Sequence, residues 1–264
     1  MHSRKISLLC LGVALMWAFA SPVQKAHAQS TLTPWQKLTQ SQLTAVWWQW
    51  LLSIPVSASP VVDNSGAHAY SAQPYQDLVF LAGTFILTPG PDGDQVGNAT
   101  RNITVKPGTA LFVPVLNNEG DNVCFRPHLG GNCFEQSDFP EGTVIGVTKL
   151  RALAAMSMDS ARELHATLTT LPHGGSVTLP PARLQSPVFS FNLPATDNLY
   201  QASGVHVSGR VASAIADGFW VFISALPRGS YLLEFGGKAD IIDPFTLTVT
   251  GTFTLGITYN ITVE

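Results

Sequence analysis

The stretch Asn117-Asn118-Glu119-Gly120-Asp121-Asn122 crowds oxygen donors into a few positions. Calcium takes six to eight oxygen ligands, and acidic and amide side chains in a loop can supply them. The spacing is not that of an EF-hand, and Asn, Asp and Gly are also the ordinary residues of a solvated turn. Asp92, Asp94 and Asn98 in "PDGDQVGN" present the same two alternatives. Beyond residue 28 the histidines are His68, His128, His165, His173 and His206. No pair stands at the i, i+4 spacing of a helical zinc site, and no H-E-x-x-H occurs. A metal-dependent hydrolase would have to gather Glu119, Asp121 and His128 with the distant His206. There is no G-x-S-x-G nucleophile elbow, no phosphate-binding loop and no dinucleotide fingerprint. Paired carboxylates for glycoside hydrolysis form in space, so the order of residues does not rule them out.

Aromatic residues offer a different chemistry. "AVWWQWLLSIP" (45–55) carries Trp47, Trp48 and Trp50. Thr33, Pro34 and Gln36 read as a helix start, with a capping box and proline at the first helical position. Pro55 is the first stop, so a helix is expected over 34–54. Leu43, Val46, Trp47, Trp50, Leu51 and Ile54 fall on one face of it. Trp47 and Trp50 are then core anchors, each needing a partner for its indole N–H. Trp48 lies about 100° round from Trp47, which leaves it as the tryptophan free to stack on a sugar.

The frame for these residues is an exported one. Arg4 and Lys5, the uncharged run Ile6–Ala20 and Ala26-His27-Ala28 read as a signal peptide over 1–28, cleaved before Gln29. The run is short for a membrane span, and no later stretch is apolar enough for one. The expected location is the periplasm or the exterior. Cleavage removes Arg4, Lys5 and Lys25 and no acid. Basic residues fall from 14 to 11 against 17 acidic ones, and the net charge moves from −3 to −6. Without a basic patch, nucleic acid and anionic membrane are poor partners. Cys124 and Cys133 in "CFRPHLGGNC" are expected to form a disulfide in an oxidising compartment, contributing on the order of 2–3 kcal/mol. A metal pair with His128 as third ligand is the alternative, although structural zinc needs four ligands.

Most of the remainder reads as β. Strands are expected at 77–87, at 101–105 and 109–116 about the Pro107-Gly108 turn, and at 187–193. Residues 218–226 and 230–235 flank Pro227-Arg228-Gly229 as a plausible hairpin. Residues 144–168, rich in Ala, Leu and Met, suit a second helix. The tail alternates most cleanly: Phe245, Leu247, Val249, then Phe253, Leu255, Ile257, Tyr259, Ile261 and Val263 share one parity, and threonines dominate the other. That is a half-buried antiparallel sheet. One strand of such length would exceed about 60 Å, so a bend near Gly251 or Gly256 is expected. Regular T-x-T arrays can bind ice when repeated over several strands, but Thr also simply favours strands. Asn98, Asn102 and Asn260 head N-x-T sequons.

Taken together, "WWQWLLSIP", "LVFLAGTF", "KPGTALFVPVLNNE", "ADGFWVFISALPRGSYLLEFGG" and "TYNITV" resemble an uncharacterised family of secreted bacterial proteins, in the same order over most of the mature chain. The resemblance implies export and a β-rich fold, and carries over no activity and no functional residue.

The expected fold is a single, mainly β domain over 29–264, an antiparallel β-sandwich of jelly-roll kind with two packed helices. The leading function is non-catalytic binding of a glycan or protein partner, without a cofactor other than a possible Ca2+. Candidate binding residues are Asn117, Asn118, Glu119, Asp121, His128, His206 and Trp48. The alternative is the metal-dependent hydrolase around Glu119, Asp121 and His128.

Overall fold

A computed structural model describes residues 33–123, 146–243 and 246–264. The expected signal peptide, Cys124, Cys133 and His128 lie outside the described residues. Thr39 opens the first helix: its hydroxyl accepts from Gln42 N at 3.2 Å, and Gln42 Oε1 accepts from Thr39 N at 2.8 Å, a reciprocal cap. Helix α1 therefore runs Gln40–Leu52, not from residue 34. Pro34–Lys37 forms a separate 3-10 turn, and Leu38 between the two is extended, with φ −95° and ψ 144°. The chain holds two Thr-x-x-Gln signals in succession, and the second one starts the helix.

In chain order the strands are β1 Leu78–Phe80, β2 Leu87–Pro89, β3 Gln95–Val105, β4 Ala110–Asp121, β5 Arg162–Leu171, β6 Ser176–Thr178, β7 Ala182–Gln185, β8 Phe189–Leu193, β9 Gly209–Ile223, β10 Gly229–Ile242 and β11 Val249–Val263. Helix α2, Val147–Met158, lies between β4 and β5, and the one-turn α3, Leu199–Ala202, between β8 and β9. The chain is thus mainly β, in two sheets. One has the order β1-β4-β9-β7 with β8 also on β9, and the other β2-β3-β11-β10-β5-β6.

The inward faces of both sheets share one core. Val113, Val115, Val221 and Ile223 from the first meet Leu233, Phe235, Ile257, Tyr259 and Ile261 from the second. The first sheet is buried on its other face as well, where Phe80, Phe112, Ala216 and Trp220 pack under α1. This double burial explains the near-continuous apolar runs of β1 and β4. The second sheet has a water-facing side, so β3 and β11 alternate.

Several expectations change against this arrangement. The pairing is mixed, because β1 lies parallel to β4 and β3 parallel to β11. Pro227-Arg228-Gly229 does not close a hairpin: β9 and β10 belong to different sheets, and the segment carries the chain across the core. The helix expected over 144–168 ends at Met158, and 162–171 is β5, paired with β10. Its "ELHATLTTL" could satisfy a backbone ladder as well as a helix, and a neighbouring strand supplied the ladder. The strand expected over 77–87 is cut to β1, because the carbonyls of Ala82 and Gly83 turn to the Arg101 guanidinium, at 2.7 and 2.8 Å. In the tail the break comes earlier than expected. Asp243 O accepts from Leu247 N at 2.8 Å and Asp243 N donates to Thr248 O at 2.9 Å. Strand β11 then runs to Val263 with a register shift only opposite Ile241 and Ile242. Among the described residues, no helix is long and apolar enough to cross a membrane.

Candidate binding cleft at the end of strand β4

Residues 117–121 are not a loop. They are the last turns of β4, paired in register with Gly218, Asp217, Ala216, Ile215 and Ala214 of β9. Strand geometry sends successive side chains to opposite faces. Asn117, Glu119 and Asp121 therefore share one face and Asn118 takes the other. Asn118 Nδ2 lies 3.3 Å from the carbonyls of Leu153 and Ala154 and donates to α2. The oxygen-bearing side chains that looked convergent in sequence are split by the strand. Gly120 is the point of closest approach: a Cβ there would sit 2.9 Å from Leu150 O. Glycine lets α2 lie directly on β4.

Between α2, the end of β4 and the far ends of β10 and β11 opens a cleft of about 590 Å3. Leu153, Met156, Met158, Ile241 and Phe253 form apolar walls, and Asn117, Glu119, Asp121 and Tyr200 contribute the polar side. Asp240 also lines it, ion-paired to Arg162 at 2.7 Å. No lysine, arginine or histidine is among its described lining residues.

Tyr200 is brought in by α3. Asn198 caps that turn, accepting from Gln201 N at 3.0 Å, and its own amide donates to Pro194 O and Val207 O at 3.0 and 2.7 Å. The Tyr200 ring stacks on Phe191, centroids 6.3 Å apart and planes 19° from parallel. Its hydroxyl donates to Asp121 Oδ2 and lies 3.5 Å from Glu119 Oε2. Asp121 Oδ1 accepts from Val123 N at 2.5 Å. Glu119 as a residue is partly covered, but its Oε1 is fully buried and meets no donor, as is Asn117 Nδ2 without an acceptor.

These environments push the Glu119 carboxyl well above its ordinary range. Burial is the largest cause, followed by the Asp121 charge and a hydrogen bond to Asp121 that favours the protonated form; the Tyr200 hydroxyl opposes them. The raised Glu119 carboxyl favours its neutral form, which can donate to Asp121.

Other sequence candidates sit elsewhere. Trp48 is not free for stacking: it is 6% exposed and meets Trp47 edge-on at 5.1 Å. Helix α1 is enclosed nearly all round, so lying off the main stripe did not expose this residue. His206 is exposed between buried Val205 and Val207 and does not line the cleft. Among the described residues no three His, Cys, Asp or Glu side chains gather as a metal site. Asn98, Asn102 and Asn260 are exposed on the outer face of the second sheet, where Asn260 Nδ2 donates to Asn102 Oδ1 at 2.9 Å. Sequence reasoning missed Tyr200, Met156, Met158 and Phe253. The Asn198-x-x-Gln201 cap was legible before Tyr200's helix, but nothing local tied it to Asp121.

No family model and no curated protein matches this chain. A solved structure described as "Structure of PbICP-C in complex with falcipain-2" is 11% identical, covering 71% of this chain and 99% of that one, with a TM-score of 0.20. That score is too low to say anything of fold or function.

Proposed function

We propose that this chain is an exported, non-catalytic binding protein that receives a glycan or protein partner in the cleft beside Glu119. What carries the reading is the cleft itself: apolar walls on one side and buried, hydrogen-bond-capable Glu119 and Asn117 on the other, the usual make-up of a ligand site. Export is supported by the charged start, apolar run and Ala-x-Ala of residues 1–28. The same reading takes the two sheets as a β-sandwich of jelly-roll kind, supported by their shared core. The test is binding by the purified mature protein to glycan and peptide panels, repeated with Met156→Trp, which fills the cleft. Binding lost in the variant supports the reading. Absence of any ligand, or binding that ignores the variant, overturns it.

One observation favours a second reading, a hydrolase. A Glu119 carboxyl raised by burial beside a second acid, Asp121, is an arrangement that general acid and base chemistry can use. In its metal-dependent form this reading draws on Glu119, Asp121 and His128, with the distant His206. Hydrolysis of glycoside or ester substrates that falls at least a hundredfold in Glu119→Gln would establish this reading, and retained turnover would remove it.

A further inference from the structure

We propose that the part of the partner seated in this cleft is an unbranched acyl chain, as an acylated glycan carries. The inference rests on the binding reading above and names what that site takes. It uses the wall made by α2 and the second sheet and does not draw on the carboxyls of β4. On that wall the lining runs straight across four neighbouring strands. Ala239 of β10, Phe253 of β11 and Gln95 of β3 are register partners, and Leu87 of the edge strand β2 pairs two residues further along β3, at Gly97. Leu153, Met156 and Met158 line the same cleft from α2.

From β10 through β11 and β3 to β2 is three inter-strand steps, each about 4.8 Å, or about 14 Å in all. With carbon–carbon bonds of about 1.5 Å and angles of about 111°, an extended chain of about ten to twelve carbons covers that distance. The two ends of the row differ. Ala239 and Met158 are 1% and 3% exposed, while Leu87 is 39% exposed. The row is therefore closed at β10 and open at β2, where Phe85 and Ile86, next to Leu87 in the chain, are exposed as well. Three large apolar residues in succession at a surface mark a place of contact.

The walls suit an alkyl chain better than a peptide. The backbones of these strands are already paired with one another, β10 with β5 and β11, and β11 with β3. A peptide laid along the row would bury N–H and C=O groups against hydrocarbon and thioether, a cost that an alkyl chain does not carry. Asp240, the charged lining residue of β10, is matched by Arg162 at 2.7 Å, so this wall does not call for an ionic ligand. Met156 and Met158 give an adaptable, polarisable surface for the chain.

Titration calorimetry of the mature protein with hexyl, octyl, decyl, dodecyl and tetradecyl glucosides, each below its micelle concentration, tests the inference. Affinity is expected to rise about fourfold per added CH2 up to the dodecyl compound and to level at the tetradecyl one. Met156→Trp, which fills the cleft, should weaken decyl glucoside at least tenfold. Leu87→Gln, at the exposed opening, should weaken it at least threefold. Affinity that ignores chain length, that keeps rising past the dodecyl compound, or that both variants leave intact overturns the inference. If no glucoside binds while a glycan or peptide from the panels does, and loses binding in Met156→Trp, the acyl inference falls and the binding reading stands. If nothing binds, both fall.

Discussion

Arg101 Nη1 donates to the Tyr259 hydroxyl at 2.9 Å, in the centre of the fold. The guanidinium is completely buried and meets no carboxylate among its hydrogen-bond partners. It is held by neutral oxygens: Asp63 O at 2.7 Å, Ala82 O at 2.7 Å and Gly83 O at 2.8 Å. It also lies 5.4 Å from the centre of the Tyr259 ring, close enough for cation–π attraction. One side chain thus ties β3, β11 and the segment after β1 together. Burial is the main reason the Tyr259 phenol is pushed up, so it stays a neutral donor to Ala82 O.

Arg101→Met is therefore expected to strand several buried carbonyls at once and to destabilise the protein by at least about 3 kcal/mol. Tyr259→Phe removes one acceptor but leaves the guanidinium its other oxygens, so about 1–3 kcal/mol is expected. Urea unfolding of the two variants checks the order. Equal losses would contradict the assignment of Arg101 as the hub.

Trp47 is 2% exposed, donates to Leu81 O at 2.7 Å and touches Trp48, Trp50 and Trp220 edge-on. Trp47→Ala should cost about 3–5 kcal/mol through the cavity and the lost bond. Thr262→Val, on the exposed face of β11, should stay within about 0.5 kcal/mol of the native protein. Thermal melts of both variants read the contrast directly.

Gly120 faces α2 with no room for a methyl group. Gly120→Ala should push α2 off β4 and destabilise by about 1–3 kcal/mol. Because α2 forms one wall of the cleft, the variant should also weaken ligand binding. Unchanged stability together with unchanged binding would mean that α2 does not rest on β4 there.

The Glu119 carboxyl gives a pH signature. Its folded value is raised, so folding favours the protonated form. The stability this contributes is fully present below the unfolded value of 4.5 and is lost as pH rises through the higher folded value. Glu119→Gln keeps a neutral group at every pH. The stability of the variant relative to the native protein should therefore increase from pH 4 to pH 8, as read from denaturant midpoints. A flat difference would show that Glu119 is ionised in the fold.

Much of the architecture was legible in the chain. Period-two alternation placed Leu247, Val249, Phe253, Leu255, Ile257, Tyr259, Ile261 and Val263 on one face; the last five are buried and Phe253 partly so, but Leu247 and Val249 are exposed, because the sheet's core ends before them. The 3.6 period placed Leu43, Val46, Trp47, Trp50, Leu51 and Ile54 inward; all are buried except Val46, which is partly buried against the same core. Such patterns are written in one segment and need only some apolar partner to cover them. Glu119 and Asp121 were also picked out by type alone, as acids crowded at the end of a strand.

Partner choice was decided by the tertiary structure. Strands β9 and β10 are adjacent in sequence, yet each found its ladder in a different sheet, because a hydrogen-bonding edge accepts any extended segment that packs well. Arg101 was read only as the start of an expected strand; the carbonyls of Asp63, Ala82 and Gly83 close around its guanidinium from distant segments. Trp48, off the stripe of its helix, was covered from outside the helix. The pairing of Glu119 with Asp121 needed the run to be strand rather than turn, since only alternation sets i and i+2 on one face. Tyr200 was delivered by a segment 79 residues further along the chain than Asp121. Sequence determined which residues had to be hidden and which carried charge; long-range packing determined which of them met, because those contacts join segments that share no local pattern.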